Sequence, residues 1–185
     1  MRFIAGFDEV GKGALAGPLT IGLAVVGDDE ALDGLRDSKR MSAKKREAMF
    51  EPIQNWVVDW AIGQASNVEC DELGMEAAQR LATTRAWDGL PTFRQDMIAE
   101  VLVDGPWDFF GGATCVVGGD DKVQAISAAS VLAKVTRDRL MVDYAEVYPE
   151  YGFERHKGYG SPQHLAAIDA HGACSIHRIS WSTFQ

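Results

Sequence analysis

The sequence has few cysteines, no long apolar run and no excess of positive charge. Its three cysteines, Cys70, Cys115 and Cys174, include no C-x-x-C pair, which argues against a disulfide scaffold or a zinc ribbon. The longest apolar candidate, at 21–26, is far shorter than the roughly 20 residues that a spanning helix needs. The first residues lead directly into a predicted strand, which leaves no room for a signal peptide. We therefore expect a soluble protein of the reducing cytoplasm, with a single domain over residues 1–185.

Positive charge is scarce, because 18 Lys and Arg residues face 27 Asp and Glu residues, a net charge of −9. A protein that coats nucleic acid without specificity is usually basic, since it neutralises phosphates. One segment, 36–46, is an exception with six basic residues and one acid. It is either a solvated helix face or a local anion-binding edge. An acidic chain that binds a polyanion needs such an edge, and metal ions can assist it.

Segments rich in β-branched residues come first, followed by alternating helices and strands. Strands are predicted at 3–7, 18–26, 56–64, 101–103 and 115–117. Helices are predicted from a Ser42 cap to just before Pro52, from an Asn67 cap along an acidic stretch, over 126–147, and from Ser161 onward. This order predicts an α/β layer fold with a mixed sheet. We expect the small residues at 127–130 to let a helix pack closely on the sheet, and the tryptophans to fill core and edge.

Acidic residues stand where predicted strands end. Asp8 and Glu9 close the first strand, Asp104 closes the fourth, and Asp120 follows the fifth. Loops from different strands meet at one edge of an open α/β sheet, so these carboxylates would be neighbours. Neighbouring carboxylates need cations to stay ionised, and a pair of Mg²⁺ ions about 4 Å apart can support phosphodiester hydrolysis. The competing interpretation is that each Asp forms a turn or caps a helix, and composition alone leaves both open.

Residues 6–12 also fit the G-x-x-x-x-G-K frame of a nucleotide phosphate-binding loop. That motif continues with Ser or Thr to hold Mg²⁺, whereas residue 13 is Gly. The frame also contains Asp8 and Glu9, whose carboxylates would repel the phosphates. We therefore reject the nucleotide-binding interpretation.

Eight ordered segments between residue 4 and about residue 181 carry a family resemblance. They are G-F-D-E-V-G-K-G-A-L-A-G-P (6–18), D-S-K-R-M (37–41), V-D-G (103–105), G-G-D (118–120), S-A-A-S-V-L-A-K-V-T-R-D (127–138), Y-P-E-Y-G-F (148–153), H-K-G-Y-G (156–160) and I-H-R-I-S (176–180). Together they closely resemble the bacterial ribonuclease HII family. The resemblance implies the ribonuclease H fold, an α/β fold with a mixed five-stranded sheet flanked by helices and a helical C-terminal part. It also implies an Mg²⁺- or Mn²⁺-dependent endoribonuclease that cleaves RNA in RNA/DNA hybrids and cuts 5′ to single ribonucleotides in duplex DNA.

The family's catalytic acids match this chain residue by residue. The resemblance makes Asp8, Glu9, Asp104 and Asp120 the four metal-binding residues, the same acids that close the predicted strands. Asp121 is adjacent to the fourth position, and we prefer Asp120 because it completes the G-G-D segment. The alternative for Asp121 is an acid at a helix N-terminus, where the helix dipole favours negative charge.

The resemblance also implies how substrate is bound. The turn Gly11-Lys12-Gly13 would read the ribose 2′-OH through its backbone, a contact that distinguishes RNA from DNA. Tyr159 would stack on the sugar of the following deoxynucleotide, although alone it is an ordinary half-buried aromatic. Lys39 would contact a phosphate. Further candidates for this basic edge, each also explicable as a solvated charge, are Lys134, Arg137 and Lys157. The four histidines match no metal-binding spacing, and we assign them no role.

One residue departs from the family pattern. Lys12 stands where the family has arginine, and lysine lacks the planar fork that arginine offers to a phosphate. This leaves two alternatives: a hybrid nuclease resembling ribonuclease HIII without junction activity, or a hybrid-binding module with weakened catalysis. The expected partners are RNA/DNA hybrids and ribonucleotide-containing duplex DNA, with no membrane. We also expect a monomer, and no sliding-clamp peptide of the Q-x-x-L-F kind is evident.

Overall fold

The computed structural model describes residues 3–27, 31–35 and 41–184. In these ranges the chain forms five strands and eight α-helices, none of them long and apolar enough to cross a membrane. The strands are β1 (Phe3–Val10), β2 (Leu19–Val26), β3 (Asp59–Ala65), β4 (Ile98–Asp104) and β5 (Thr114–Val116). The helices are α1 (Ala43–Trp56), α2 (Asn67–Leu73), α3 (Met75–Asp88), α4 (Thr92–Gln95), α5 (Gly119–Lys122), α6 (Gln124–Val147), α7 (Phe153–His156) and α8 (Pro162–His171). Lys39, which we expect to contact a phosphate, lies outside the described residues.

The strands form one mixed sheet in the order β3-β2-β1-β4-β5. β1 is antiparallel to β2 and parallel to β4, and β5 continues the parallel half beside β4. Phe7 of β1 lies opposite Val103 of β4, so Asp8 and Asp104 both follow the same rung of the sheet. The α/β fold with a mixed five-stranded sheet is therefore confirmed. Its parallel half brings the carboxyl ends of β1, β4 and β5 to one edge.

Helices cover the two faces of the sheet, with α6 against β1 and β2 and α3 against β3 and β2. The contact with α6 is close because small residues meet there: a Cβ added to Gly22 would lie 2.2 Å from the Ala129 carbonyl oxygen. Gly63 allows the same approach by α3, since its Cβ would lie 1.9 Å from the Ala82 carbonyl oxygen. The expectation that residues 127–130 permit close packing is thus confirmed. Four tryptophans pack against the two core clusters as predicted: Trp56, Trp60, Trp87 and Trp107.

Helix α1 does not stop before Pro52, as predicted, but continues through it to Trp56. Proline lacks the N–H that would bond to the carbonyl four residues earlier, and normally ends or kinks a helix. Here Pro52 faces solvent, while Phe50 and Ile53 on the other side are buried in the cluster beneath α6. Tertiary packing therefore overrides the local signal. The same extension makes β3 begin at Asp59 rather than at Trp56.

The cap predicted at Asn67 is also wrong, because Ser66 caps α2. The Ser66 hydroxyl accepts a hydrogen bond from the Glu69 N–H at 3.1 Å, and the Glu69 carboxylate accepts one from the Ser66 N–H at 2.8 Å. This reciprocal pair is a capping box. The acidic stretch is then divided at Gly74, whose φ of 77° is unfavourable for other residues, into α2 and α3. The Asn67 amide instead donates to the backbone carbonyls of Ser175 and His177.

The predicted helical C-terminal part packs against the end of α6 through a third buried cluster that contains Met141, Tyr151 and Phe153. It is joined to the loop that follows β1 by backbone hydrogen bonds. Leu15 N–H donates to Gly158 O at 2.8 Å, and Arg178 N–H donates to Leu15 O at 2.8 Å. The chain after α6 therefore lies beside the loop that carries the Gly11-Lys12-Gly13 turn.

Candidate metal centre and substrate cavity

Three acidic side chains from three separate elements meet at the carboxyl edge of the sheet. They are Asp8 of β1, Asp104 at the end of β4 and Asp120 of α5, and each offers a carboxylate oxygen within 4.8 Å of the other two. Asp8 and Asp120 are buried, with 5% and 4% of their surfaces exposed. A compact set of oxygen donors without Cys or His is the chemistry that Mg²⁺ and Mn²⁺ prefer. The residues present therefore fit a divalent cation.

Burial dominates the electrostatics of Asp8. The pKa of this carboxyl is raised from 3.8 to about 7, mainly by burial and to a smaller extent by the negative charges of Glu9 and Asp104. Hydrogen bonds from the Ser130 hydroxyl and the Glu9 N–H, the latter at 2.8 Å, act in the opposite direction. Without a cation, Asp8 thus retains a proton near neutral pH. A bound cation would replace that proton, which supports the fit of a metal to this site.

Backbone contacts fix the other two acids. The Asp104 carboxylate accepts a hydrogen bond from Gly119 N–H at 2.7 Å, directly before Asp120. Gly118 precedes α5 in the left-handed conformation, with φ 66°, and so turns the chain from β5 into that helix. Asp120 faces the cluster from the buried side of α5, whereas Asp121 is exposed. The geometry therefore brings Asp120, the preferred residue, rather than Asp121 to the other acids.

Glu9 lies beside this cluster but is not one of its three members. It is half-buried, lines the same cavity, and its Oε1 lies 3.9 Å from the Lys12 Nζ. Successive residues of a strand point to opposite faces, and β1 continues through Asp8 and Glu9 to Val10, so the prediction that these two acids close the strand is wrong. Both nevertheless line the cavity, where β1 is paired with β4 only as far as Phe7.

A cavity of about 350 Å³ opens onto the acids. Its lining also includes Gly11, Lys12, Gly13 and Tyr159, the residues that we expect to bind substrate. Gly11 N–H donates to the Tyr159 hydroxyl at 3.1 Å, which joins the turn to the tyrosine. Gly11 has φ 84°, and a Cβ there would lie 2.2 Å from the Arg137 Nε, so no other residue fits. Tyr159 remains 36% exposed and can still meet a ligand.

The basic candidates separate into different environments. Arg46, from the basic segment, and Lys134 line the cavity, and Lys134 also pairs with Asp138 at 2.7 Å. Lys157 lines a neighbouring groove. Arg137 is fully buried and donates to the carbonyls of Pro18, Ala16 and Lys157, so its assignment to a phosphate-contacting edge is wrong.

Sequence reasoning missed Ser130, His164 and His177. Ser130, considered only as a small packing residue, lines the cavity and donates a hydrogen bond to Asp8. His164 and His177 are buried, and the ring of His164 contacts the Tyr159 carbonyl. Ser130 follows other small residues directly in the sequence, so no pattern distinguished it. His164 and His177 are 13 residues apart, which matches no recognised spacing.

Two solved ribonucleases have this architecture. The chain matches the ribonuclease H2 of Pyrococcus horikoshii with a TM-score of 0.80 and 27% identity, over 99% of this chain and 95% of that one. It also matches Bst-RNase HIII, solved in complex with Mn²⁺, with a TM-score of 0.71 over 99% and 68% of the two chains, a likeness of fold alone at 14% identity. Fold and acidic cluster together define a nuclease of the ribonuclease H class, a hydrolase.

Sequence comparison identifies the family within this class of nucleases. The family model described as Ribonuclease HII matches residues 5–184. The ribonuclease HII of Endomicrobium trichonymphae is 43% identical over 182 residues, which cover 97% of this chain and 85% of that protein. The chain therefore belongs to the ribonuclease HII family.

Proposed function

We propose that this chain is an endoribonuclease that cleaves RNA in RNA/DNA hybrids and cuts 5′ to single ribonucleotides in duplex DNA, leaving 3′-OH and 5′-phosphate ends. The observation that supports the proposal most directly is the cavity that Asp8 and Asp104 share with the Gly11–Gly13 turn and Tyr159, with the Asp120 carboxylate within 4.8 Å of those two acids. Hydrolytic and ribose-reading groups thus face the same space. Membership of the family supports the nuclease activity. Cleavage at a single ribonucleotide within DNA is the more specific part of the proposal.

The acids would hold two divalent cations, Mg²⁺ or Mn²⁺. Asp8, Asp104 and Asp120 are the first candidates because they converge, and Glu9 completes the set from the cavity wall. The bound ions would lower the pKa of the attacking water and offset the charge of the scissile phosphate. Gly119 N–H and the Ser130 hydroxyl hold two of the carboxylates in place for that task.

The backbone of the Gly11–Gly13 turn supports reading of a ribose. The Gly11 N–H is taken by Tyr159, but no hydrogen bond within the described ranges takes the N–H groups of Lys12 and Gly13. Both residues are exposed in the cavity. A ribose 2′-OH, which is both donor and acceptor, can meet such amides, whereas a deoxyribose cannot. Requirement for this contact would make an all-DNA strand a poor substrate.

Tyr159 supports recognition of the nucleotide that follows. The cationic groups of Lys134 and Arg137 lie 5.8 and 5.5 Å from the centre of its partly exposed ring. A sugar stacked on this ring would be placed one step from the turn that reads the ribose. We propose nucleic acid as the partner of a monomeric, cytoplasmic enzyme, and Arg46 and Lys134 as phosphate contacts within the described cavity.

Lys12 favours a second candidate function, a hybrid nuclease without junction activity. The lysine ammonium is engaged with Glu9 at 3.9 Å and lies 5.5 Å from the centre of the Trp107 ring. In this position it offers a point charge rather than a fork to a phosphate. The two functions differ only in whether a single embedded ribonucleotide is cut.

Cleavage of two labelled substrates tests the proposal: a DNA duplex with one internal ribonucleotide, and a long RNA/DNA hybrid. We expect Mg²⁺-dependent cleavage of both, with a single cut 5′ to the embedded ribonucleotide. Asp104→Asn should abolish both activities, because the amide can accept from Gly119 but cannot bind a cation as a carboxylate does. Asp169→Asn, an exposed acid of α8, is the matched control. Cleavage of the hybrid alone would favour the second candidate, and no cleavage with either Mg²⁺ or Mn²⁺ would refute the proposal.

A further inference from the structure

Two buried histidines bond to each other beneath Tyr159. His164 of α8 and His177 are 0% and 1% exposed, and their Nε2 atoms lie 3.0 Å apart. A hydrogen bond between two imidazole nitrogens needs one proton, supplied by one ring and accepted by the other. The remaining ring nitrogens decide which histidine is the donor.

Both ends of the pair give the same assignment. The His164 Nδ1 lies 2.9 Å from the Tyr159 carbonyl oxygen, which can only accept, so Nδ1 of His164 carries a proton. The His177 Nδ1 lies 2.9 Å from the Cys174 backbone nitrogen, which can only donate, and 3.1 Å from the Cys174 Sγ, whose thiol can donate. The Cys174 carbonyl oxygen, which can only accept, is farther away at 3.3 Å, so we assign no proton to Nδ1 of His177. In neutral rings, His177 therefore donates from Nε2 and His164 accepts at Nε2. The bonds all run in one direction, from Cys174 through the two rings to Tyr159.

The surroundings keep both rings neutral. Burial lowers the pKa of His164 to about 4 and lowers that of His177. The ring of His156 is stacked on that of His164 at 4.4 Å, and Tyr151 and Phe153 pack around the pair. No carboxylate of the described chain lies within hydrogen-bond distance of either ring to stabilise a second proton.

Tyr159 is held by four hydrogen bonds, in addition to the ring contacts with Lys134 and Arg137. Its N–H donates to His156 O at 3.0 Å, its carbonyl accepts from Ser161 N–H as well as from His164, and its hydroxyl accepts from Gly11. The turn before it is strained, since Lys157 has φ 53°, which is unfavourable for a residue with a Cβ. The bond from His164 thus fixes the carbonyl of the residue whose hydroxyl meets the ribose-reading turn.

We propose that His164 is a positioning residue for Tyr159, and that His177 holds it in the tautomer that donates to the Tyr159 carbonyl. The proposal rests on the proposed role of Tyr159 in junction recognition. Its consequence is specific: losing the donor at Nδ1 should lower cleavage at a single ribonucleotide more than cleavage of a long hybrid. Loss of overall stability would lower both alike.

Two substitutions of His164 test its two hydrogen bonds one at a time, because each keeps one bond and removes the other. His164→Asn places an amide donor near the position of Nδ1 and keeps the bond to Tyr159. His164→Gln places an acceptor near the position of Nε2 and keeps only the bond from His177. We expect His164→Gln to lower the ratio of kcat/KM on the junction to kcat/KM on the hybrid by roughly three- to tenfold. His164→Asn and the control His171→Gln, an exposed histidine of α8, should leave that ratio unchanged.

A double-substitution cycle with Tyr159→Ala tests the route of the effect. If His164 acts through Tyr159, His164→Gln should cause no further loss of the ratio once Tyr159 is alanine. Independent, multiplied losses would overturn the proposal. If Tyr159→Ala lowers the junction-to-hybrid ratio of kcat/KM but His164→Gln does not, the positioning role of His164 is refuted and the role of Tyr159 is retained. An unchanged ratio in Tyr159→Ala would refute the role of Tyr159 and with it this proposal.

Nitrogen-15 NMR of the unaltered protein gives a test that needs no variant to fold. We expect His164 protonated at Nδ1, His177 protonated at Nε2, and a coupling across the Nε2–H···Nε2 bond at neutral pH. The opposite tautomers, or a pair without coupling, would overturn the proposal whatever the variants do.

Discussion

The Asp104 carboxylate accepts a hydrogen bond from the Gly119 N–H at 2.7 Å, and this bond joins the end of β4 to the start of α5. It places Asp120, the next residue, beside Asp104 although 15 residues separate the bonded pair. One acid of the cluster therefore determines where another lies. The side chain of Asp104 has a structural function in addition to the proposed binding of a cation, so its replacement by Asn and by Ala should differ.

Substitution of the adjacent acids Asp120 and Asp121 should have unequal effects. Asp120 is buried in the carboxylate cluster, whereas Asp121 is exposed on α5. We expect Asp120→Asn to lower kcat on a hybrid by about 100-fold or more, because it removes one charged ligand for the ions. Asp121→Asn should change kcat by less than about threefold. Steady-state cleavage rates over a range of Mn²⁺ concentrations measure both, and equal losses would contradict the assignment of Asp120.

In the metal-free protein, the contribution of Asp8 to the free energy of unfolding should fall as the pH rises. Burial raises the pKa of Asp8 to about 7, whereas in the unfolded chain it is near 3.8. Between these values the folded state holds a proton that the unfolded state has lost, so this contribution is complete below pH 4 and is lost toward pH 7. The decline in the free energy of unfolding is on the order of 2–4 kcal/mol.

Urea unfolding of the unaltered protein and of Asp8→Asn, in EDTA at pH 4.5 and pH 7, isolates this contribution, because the opposite contribution of buried, neutral His164 is the same in both proteins. Asp8→Asn should be more stable than the unaltered protein at pH 7 and inactive, since its neutral amide has no charge to bury. Asp169→Asn is the control and should follow the unaltered protein. A less stable Asp8→Asn at pH 7 in EDTA would contradict the raised pKa.

The sheet could be predicted because its strands are encoded locally, by short runs of β-branched residues that end in glycine or Asp-Gly. The position of the acids followed from the same signal, since Asp104 ends β4 and Asp8 lies two residues before the end of β1. The resemblance supplied the turn and Tyr159, which no local pattern indicated.

The remaining features depend on contacts between distant segments. Arg137 is an ordinary helix residue in the sequence, but its guanidinium is buried against three carbonyls, two of which are more than 100 residues away. His164 and His177 meet only because α8 and the C-terminal segment pack together. Such pairs have no periodicity to detect, and their positions follow from the tertiary structure alone.

Pro52 offers a stabilising substitution away from the cavity. It lies in the interior of α1 on the solvent side, where it removes one backbone hydrogen bond of the helix. Pro52→Ala should raise the free energy of unfolding by roughly 1–3 kcal/mol and leave cleavage rates unchanged. Pro162→Ala is the matched control, because Pro162 occupies the first turn of α8, where its missing N–H has no helical partner. Thermal unfolding compares them, and a destabilised Pro52→Ala would contradict this account of α1.

Two properties of the residue at position 12 should affect binding separately. Its charge should set the salt dependence, and the shape of its cationic group should set the preference for the junction. The Lys12 ammonium lines the cavity beside Glu9, where a phosphate of the substrate could replace that ion pair. Lys12→Gln should weaken binding to a ribonucleotide-containing duplex and lower the slope of log affinity against log salt by about 1. Lys12→Arg should keep the slope, because the charge is the same, and increase the preference for the junction several-fold through its planar fork.

Binding is measured by fluorescence anisotropy in Ca²⁺, with cleavage in Mg²⁺ assayed alongside. Arg155→Gln removes an equal charge from an exposed position on α7 that does not line the cavity. It should change the slope by much less than Lys12→Gln. An unchanged slope in Lys12→Gln would mean that this lysine contacts no phosphate, and its ion pair with Glu9 would then be its main interaction. A loss of junction preference in Lys12→Arg would show instead that the compact ammonium, rather than the fork, suits this cavity.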